Sequence, residues 1–508
     1  MKTKKTQLGL FLLGSILYNW FFWEEDLGLN LLLFNHFIIA VAYLLNPASR
    51  KQNSVLLMGI ASLTTATMVF FYGSTISKLT NFVSLIVFIG YVHQPQLKAI
   101  IFALFTSLNN FFRFPIKQVL NGFGENEKTS KDVVSSLKKI KLVIIPSFFI
   151  FIFYWIFKAS NPKFDVITTE FWLKFSTFFE WLFSDISWLR IPFFLMGAII
   201  TAAFIYHENV SLYMKKEIGL RDILSRTRKK RIKQIDNGTQ FIQKRISPLT
   251  VGLKNEYRSA LILIIAVNLL LMFVNGLDIS WLWFNFEYNG DFSLSQFVHE
   301  GTYLLIFSIL LSISIILYFF RKNINFFPEN SLLKYCSIVW ILQNVILVIS
   351  VGLRNYYYIE HYGLAYKRIG VFVFLLLTVV GLITLILKIT KLKSSFYLIK
   401  INTISLFTAF VLLSTINWDM VIAKHNLSSL SNRKVDVTFL LTLSDNTLPL
   451  IYENKDILNT KGVRYNGQDH HYVFTEKIKK FKEKQAKLSW LSMNLSSKKT
   501  LEYFNTNH

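Results

Sequence analysis

Apolar residues in this chain gather in blocks of roughly 17 to 24 positions with almost no charge inside, not at the spacing of an amphipathic helix or a half-buried strand. A block of that length, coiled at about 1.5 Å per residue, matches a hydrocarbon layer about 30 Å thick. The blocks predict helices over 7–23, 27–45, 54–72, 79–93, 140–158, 188–206, 257–275, 297–320, 332–352, 367–388 and 397–417. Two further stretches, 97–112 and 170–186, are amphipathic. The second sets Trp172, Phe175, Phe178, Phe179 and Trp181 beside Lys174, Glu180 and Asp185, and reads as a helix lying in the membrane interface. The first is taken as peripheral, so that 79–112 makes a single net crossing; if it is a true span, the N-terminal half threads differently while 207–417 keeps its orientation. The expected fold class is all-α: a polytopic transmembrane bundle of about 11 spans, followed by a small, mainly helical C-terminal appendage.

Composition agrees with that pattern. Hydrophobic residues make up 53% of the 508 positions and charged residues 17%, against about a quarter charged in soluble domains. A water-soluble helical protein could not bury so many uniformly apolar blocks in one core. The 49 Phe and 11 Trp suit lipid-facing surfaces and interfacial belts. Cys336, the one cysteine, excludes a disulfide framework and a multi-cysteine metal site, and reads as a small buried hydrophobe. The net charge of +25 sits mostly between apolar blocks, where topology accounts for it without a nucleic-acid partner. Lys2, Lys4 and Lys5 precede the first block as in a signal peptide, but no small-x-small cleavage site follows, so the block reads as an uncleaved span.

The Lys/Arg bias of short loops sets the expected orientation in the cell (inner) membrane, with the N-terminus cytoplasmic and the tail outside. Arg50 and Lys51, the basic loop 113–139, and Lys388, Lys391 and Lys393 fall inside. So does 207–256, which holds 12 Lys/Arg against 5 Asp/Glu, including Arg226–Arg231. Glu24, Glu25 and Asp26, and the loop 276–296, fall outside. The chain then divides into N-terminal helices 1–112, the loop 113–139, a core bundle 140–418 and an extramembrane tail 419–508. Besides the lipid bilayer, 207–256 is a candidate contact for anionic lipid or a protein partner. In the tail, Thr475–Ser489 reads as a Lys-rich amphipathic helix, His470 and His471 as solvated, and the whole as too short and polar for much core of its own. No repeat of solenoid or inverted-transporter kind is visible.

Ionisable and amide side chains within or at the ends of apolar blocks are costly, so each is a candidate for function. His299, Glu300, Arg354, Glu360, His361, Arg368 and Asp419, with Asp278, all come out near the outer face and form a candidate polar cluster. Asn268, Gln343 and Asn344 lie deeper and form a candidate polar path. Zinc would draw on His299, Glu300, His361 and Asp419, but Tyr303 stands where the helix-borne two-histidine motif needs its second histidine; no metal or other cofactor is implied. General acid–base work by Glu300, Glu360 or His361 is open. The plain structural alternative pairs Arg354 or Arg368 with Glu360, Glu300 or Asp419, tying span ends together. Tyr356, Tyr357 and Tyr358 read as an interfacial belt. No Ser-centred elbow or Gly-rich phosphate loop points to a reaction class.

These residues carry a family resemblance. Asn161-Pro162, Asn268 through Asn275 to Asp278, His299 through Ile306, and Trp340 through Asn344 occur in order. Arg354, Tyr358-Ile359, Tyr362 through Arg368, Gly381 through Thr384, Asn417-Trp418-Asp419, Ala423 and Asn426 follow. Over about 140–450 the chain resembles an uncharacterised bacterial multi-pass membrane family, a domain of unknown function. The family usually has Thr where this chain has Ala365. The resemblance implies a polytopic membrane protein and supplies no activity. Three function classes therefore stand: passage of a small solute through the polar-lined bundle, a membrane-embedded signalling or scaffold component acting through basic loop and tail, and an intramembrane enzyme with an outer-face site.

Overall fold

A computed structural model describes residues 2–122, 150–151, 153–155, 157–182, 187, 189–206, 212–225, 248–284, 294–321, 323–428, 436–456 and 469–506. The helices are α1 Lys2–Phe22, α2 Leu29–Leu45, α3 Asn53–Tyr72, α4 Thr75–His93, α5 Ile100–Gly122 and α6 Pro162–Leu182. Then come α7 Arg190–Ile205, α8 Leu212–Ile218, α9 Pro248–Leu277, α10 Leu294–Phe319, α11 Ser331–Tyr362, α12 Tyr366–Thr390 and α13 Ser395–Ser414. The tail adds α14 Trp418–Ser428, α15 Val437–Thr442, α16 Leu448–Glu453, α17 His470–Lys487 and α18 Leu495–Thr506. Among the described residues the only β pairing is the isolated bridge between Ile223 and Lys393.

Among the described residues seven helices are long and apolar enough to cross a membrane: α3, α4, α9 extended to Trp283, α10 from Thr302, α11, α12 and α13. The described residues thus bear out a bundle of membrane-length helices, seven of which meet both criteria, without fixing the count of about 11. The apolar helices α2 and α7 have 17 and 16 residues, about 25 Å of rise, which is short for a 30 Å layer. Most of 140–158 lies outside the described residues. The long helices turn large apolar side chains outward, such as Leu270, Phe273, Leu304 and Phe307, each more than 60% exposed. That is the arrangement lipid favours and water does not.

Helices α1–α5 and α7 enclose one core around Phe34, Ile38, Val87 and Phe88. Here 97–112 departs from expectation. It is not peripheral: Ala99 and Ala103 are fully buried, and a Cβ added at Gly90 would sit 2.1 Å from the Ala103 carbonyl, so α4 and α5 touch backbone to backbone. The polar side of α5 faces inward. Ser107 Oγ donates to the Ile86 carbonyl and Asn110 Nδ2 to those of Ala203 and Tyr206. A second core unites α9–α13 around Ile264, Ile309, Ile316, Ile341, Leu347 and Leu385. Phe407 of α13 packs into the first core and joins the two.

The tail has a core of its own, contrary to its polar composition. Ile422, Ala423, Leu440, Leu448, Ile451 and Phe504 are fully buried, with Phe474 and Phe481 beside them. His470 is buried and its Nε2 lies 3.2 Å from Thr438 Oγ1, while His471 is exposed. Lys477 turns inward, donating to the Leu441 and Leu443 carbonyls, with Asp445 at 3.6 Å. Burial lowers its pKa below 10.5, against the pull of Asp445 and Asp419. The folded tail therefore binds fewer protons than the unfolded chain between that lowered value and 10.5, and stability gains as pH rises through this window. A wild-type minus Lys477→Met difference in unfolding midpoint should slope upward toward pH 10.5; parallel curves would contradict the assignment.

Candidate functional site

Two helices with amides one to two turns apart build the inner part of the candidate region. Asn268, Asn275 and Asp278 recur along one side of α9 and meet α11, which runs parallel to it. Asn268 Nδ2 donates to the Ile264 and Cys336 carbonyls, and its Oδ1 accepts from Gln343 Nε2 at 3.0 Å. Asn275 Nδ2 donates to the Gln343 carbonyl. Asn344 is buried and donates within its own helix, to Trp340. In a setting without water these bonds act as glue between helices. The Asn275 Oδ1, Gln343 Oε1 and Asp278 Oδ2 atoms of the same seam are buried acceptors with no hydrogen-bond donor among the described residues.

At one end of the seam α9 widens into a π-helical turn, Asp278–Trp283. There Arg354 Nη2 meets Asp278 Oδ1 at 2.7 Å, with both side chains no more than 10% exposed. Arg354 thus pairs with Asp278, a residue outside the pairings expected from the sequence. Trp283 Nε1 donates to Ser350 Oγ and Tyr357 Oη to the Leu282 carbonyl, so the turn is stitched to α11 beyond the ion pair. Arg368 also differs from expectation. It lies over the Tyr358 ring at 4.3 Å and donates to the carbonyls of Tyr362 and Gly363, closing the C-terminus of α11. Tyr358 is buried under it, so of the three tyrosines Tyr356 is the one that lies exposed.

Asp419 accepts from Tyr366 Oη at 2.6 Å and from the Ser444 amide at 3.4 Å. Glu360 and His361 are exposed on the last turn of α11. His299 and Glu300 fall in the first turns of α10, and their side chains lie outside the described residues, as do those of Arg226–Arg231. Among the described residues, three of the candidates fall in separate arrangements: Arg354 with Asp278, Arg368 with its tyrosines and carbonyls, and Asp419 with Tyr366. They share one end of the bundle.

That end is where the tail docks, through residues to which the sequence reading gave no role. At Gly363, φ is +81° and a Cβ would lie 2.5 Å from Asn426 Oδ1. Asn426 accepts from the Leu364 amide and donates to the Leu364 carbonyl, pinning α14 to the α11–α12 corner. The tail also reaches the N-terminal helices. The Leu29 amide donates to the Met493 carbonyl, Asn446 Nδ2 to Tyr72 O, Asn494 Nδ2 to Val69 O, and Lys484 meets Asp26 at 2.5 Å. Gly28 passes against Met493, with no room for a Cβ.

Two more polar sets escaped the sequence reading. Asn35, Ser62, Thr65, Asn81 and Ser84 of α2, α3 and α4 form a buried network of mutual hydrogen bonds. At the opposite end from the tail, the segment around α8 latches the two cores. Buried Glu217 accepts from the Lys98 and Ala99 amides at the start of α5, and Asp222 meets Lys400 of α13. Lys388, fully buried, lies within reach of the Lys393 carbonyl and Ser395 Oγ.

Together these elements define a helical, membrane-embedded protein with a tail of short helices seated on one end of the bundle. The chain belongs to the family described as Domain of unknown function (DUF4153), whose model matches residues 31–454. The match begins well before residue 140 and takes in α2–α5 as well as the segments quoted from the sequence. No curated protein and no solved structure matches the chain.

Proposed function

We propose that this chain is a multi-pass scaffold or signalling component of the cell membrane, acting through its tail and its basic face, with no reaction of its own. The observation that carries this reading is the seating of the tail. Its helices contact the α1–α2 and α3–α4 turns and the α11–α12 corner, so a force or partner acting on the tail is felt by both cores. Arg50 and Lys51, Lys215 and Lys216, and Lys388, Lys391 and Lys393 fall toward the other end, which supports a cytoplasmic basic face and an external tail. The amides of Asn268 and Gln343 are spent on each other and on backbone carbonyls, as structural glue would be. A second reading, passage of a small solute or proton, draws on the buried open acceptors Asn275 Oδ1, Gln343 Oε1 and Asp278 Oδ2.

One complementation experiment separates the two. In a strain lacking the gene, the paired variant Asn268→Leu with Gln343→Leu should restore the lost phenotype, because apolar packing replaces the glue. Gly28→Val, which wedges the tail off the bundle, should fail to restore it at equal membrane abundance. The reverse pattern would reject the scaffold reading and favour the solute path.

A further inference from the structure

The segment that latches the two cores, at the end away from the tail, sorts its side chains by charge. Its two carboxylates turn inward. Glu217 is buried on the Lys98 and Ala99 amides, and Asp222 meets Lys400 at 2.5 Å. The backbone is fixed as well. The Leu224 amide donates to the Leu392 carbonyl, the Ser394 amide donates to the Asp222 carbonyl, and Ile223 bridges Lys393. What remains outward is basic and aliphatic. Lys215, Lys216 and Arg221 are exposed, and Ile218, Leu220 and Ile223 are 71%, 44% and 57% exposed.

The outward basic charge has no counterweight in the elements packed against it. Lys216 lies 5.9 Å from the centre of the Tyr213 ring, and among the described residues no hydrogen bond or ion pair holds Lys215, Lys216 or Arg221. Neither 75–122, which holds α4 and α5, nor 388–402, the α12–α13 corner, contains an Asp or Glu. The corner adds Lys391 and Lys393 instead. Three exposed aliphatic side chains, in turn, are costly in water. The depth of the segment follows from its neighbours, which are the ends of membrane-length helices: α4 ends at His93, α12 at Thr390, and α13 starts at Ser395. Apolar side chains interleaved with basic ones suit the boundary between headgroups and acyl chains at that depth. We infer that residues 213–224 bind the anionic phospholipid surface of the leaflet away from the tail. Ile218, Leu220 and Ile223 then sit at the acyl boundary, and Lys215, Lys216 and Arg221 reach headgroup phosphates. Anionic lipid is thereby the partner of the basic face in the scaffold reading, on which this assignment rests.

The test uses the full chain with Cys336→Ala, carrying a nitroxide at Ile218→Cys or, separately, at Ile223→Cys, in nanodiscs of phosphatidylcholine with or without phosphatidylglycerol. Collision with oxygen reports lipid, and collision with a water-soluble nickel chelate reports water. A label at Leu270→Cys on the outer side of α9 gives the lipid reference, and one at Lys479→Cys the water reference. In discs with phosphatidylglycerol both labels should fall near the lipid reference; in phosphatidylcholine alone they should move toward the water reference. Lys215→Gln, Lys216→Gln and Arg221→Gln combined should reproduce the phosphatidylcholine result in the anionic discs, since each basic residue contributes about fivefold to surface partitioning. If the combined variant does not fold, the comparison of the two discs decides on the unneutralised protein. Labels in water in both discs would overturn the inference and leave this face to a soluble protein. Labels equally buried in both discs would overturn it too, as apolar anchoring that does not recognise charge. Gly28→Val failing to complement while the labels sit in water would sink the lipid contact and leave the scaffold reading intact.

Discussion

Arg354→Ala should cost about 3–5 kcal/mol of stability, because it leaves the Asp278 carboxylate buried without its partner. Lys367→Ala, one exposed residue past the corner, should stay within about 0.5 kcal/mol. Thermal melts of the two variants in the same detergent make the comparison. The asymmetry follows from desolvation: a buried pair is costly to assemble and costlier to break. Replacing both partners, Arg354→Leu with Asp278→Leu, should therefore recover much of the loss, since no charge is then stranded in the seam. Equal, mild effects of Arg354→Ala and Lys367→Ala would remove the ion pair from any account of the bundle. Failure of the double variant to recover, with the single variant severe, would give Arg354 a role beyond the pair.

Gly363→Ala should be the next most damaging change, at about 2–4 kcal/mol. Two causes add. An alanine is strained at φ +81°, and its Cβ would meet Asn426 Oδ1 at 2.5 Å. Asn426 would have to withdraw, and both of its bonds to Leu364 would go with it. Asn426→Ala isolates the second cause and should cost less, about 1–2 kcal/mol. The distinguishing readout is protease sensitivity of the tail relative to the bundle. Both variants should loosen the tail first. A tail that stays as resistant as wild type in Gly363→Ala would mean that the corner does not hold it.

The apolar blocks were enough to place α3, α4 and α9–α13, because each carries its own signal of length and composition. The helix at 97–112 was misread for a physical reason. Its polar residues Ser107 and Asn110 face the bundle and bond to carbonyls of α4 and α7, so its amphipathicity points the wrong way for a surface helix. The orientation rule did bring Asp278, Arg354, Arg368 and Asp419 to one end, but not their pairing. Pairing depends on the parallel run of α9 and α11 and on the π-turn, neither of which has a mark in single-residue patterns. Asn426 and Gly363 stood in the quoted motifs without a role, since only a contact between distant segments gives them one. Asn35 and Asn81 were passed over because isolated amides in apolar blocks look alike whether they bind each other or something else. The tail core was missed because its buried residues, Leu440, Phe474 and Phe504 among them, are spread over five short helices between charged positions.

The central claim is that the tail sits on the N-terminal helices as well as on the α11–α12 corner. In a Cys336→Ala background, Asp26→Cys and Lys484→Cys can be joined by a short bis-maleimide in native membranes, since the parent side chains meet at 2.5 Å. The docked tail predicts efficient cross-linking of the pair, seen as a shifted electrophoretic band, and little when Lys484→Cys is moved to Lys479→Cys, which pairs with Glu483 on the exposed side of α17. Full single labelling of both cysteines with no cross-link between them would contradict the account.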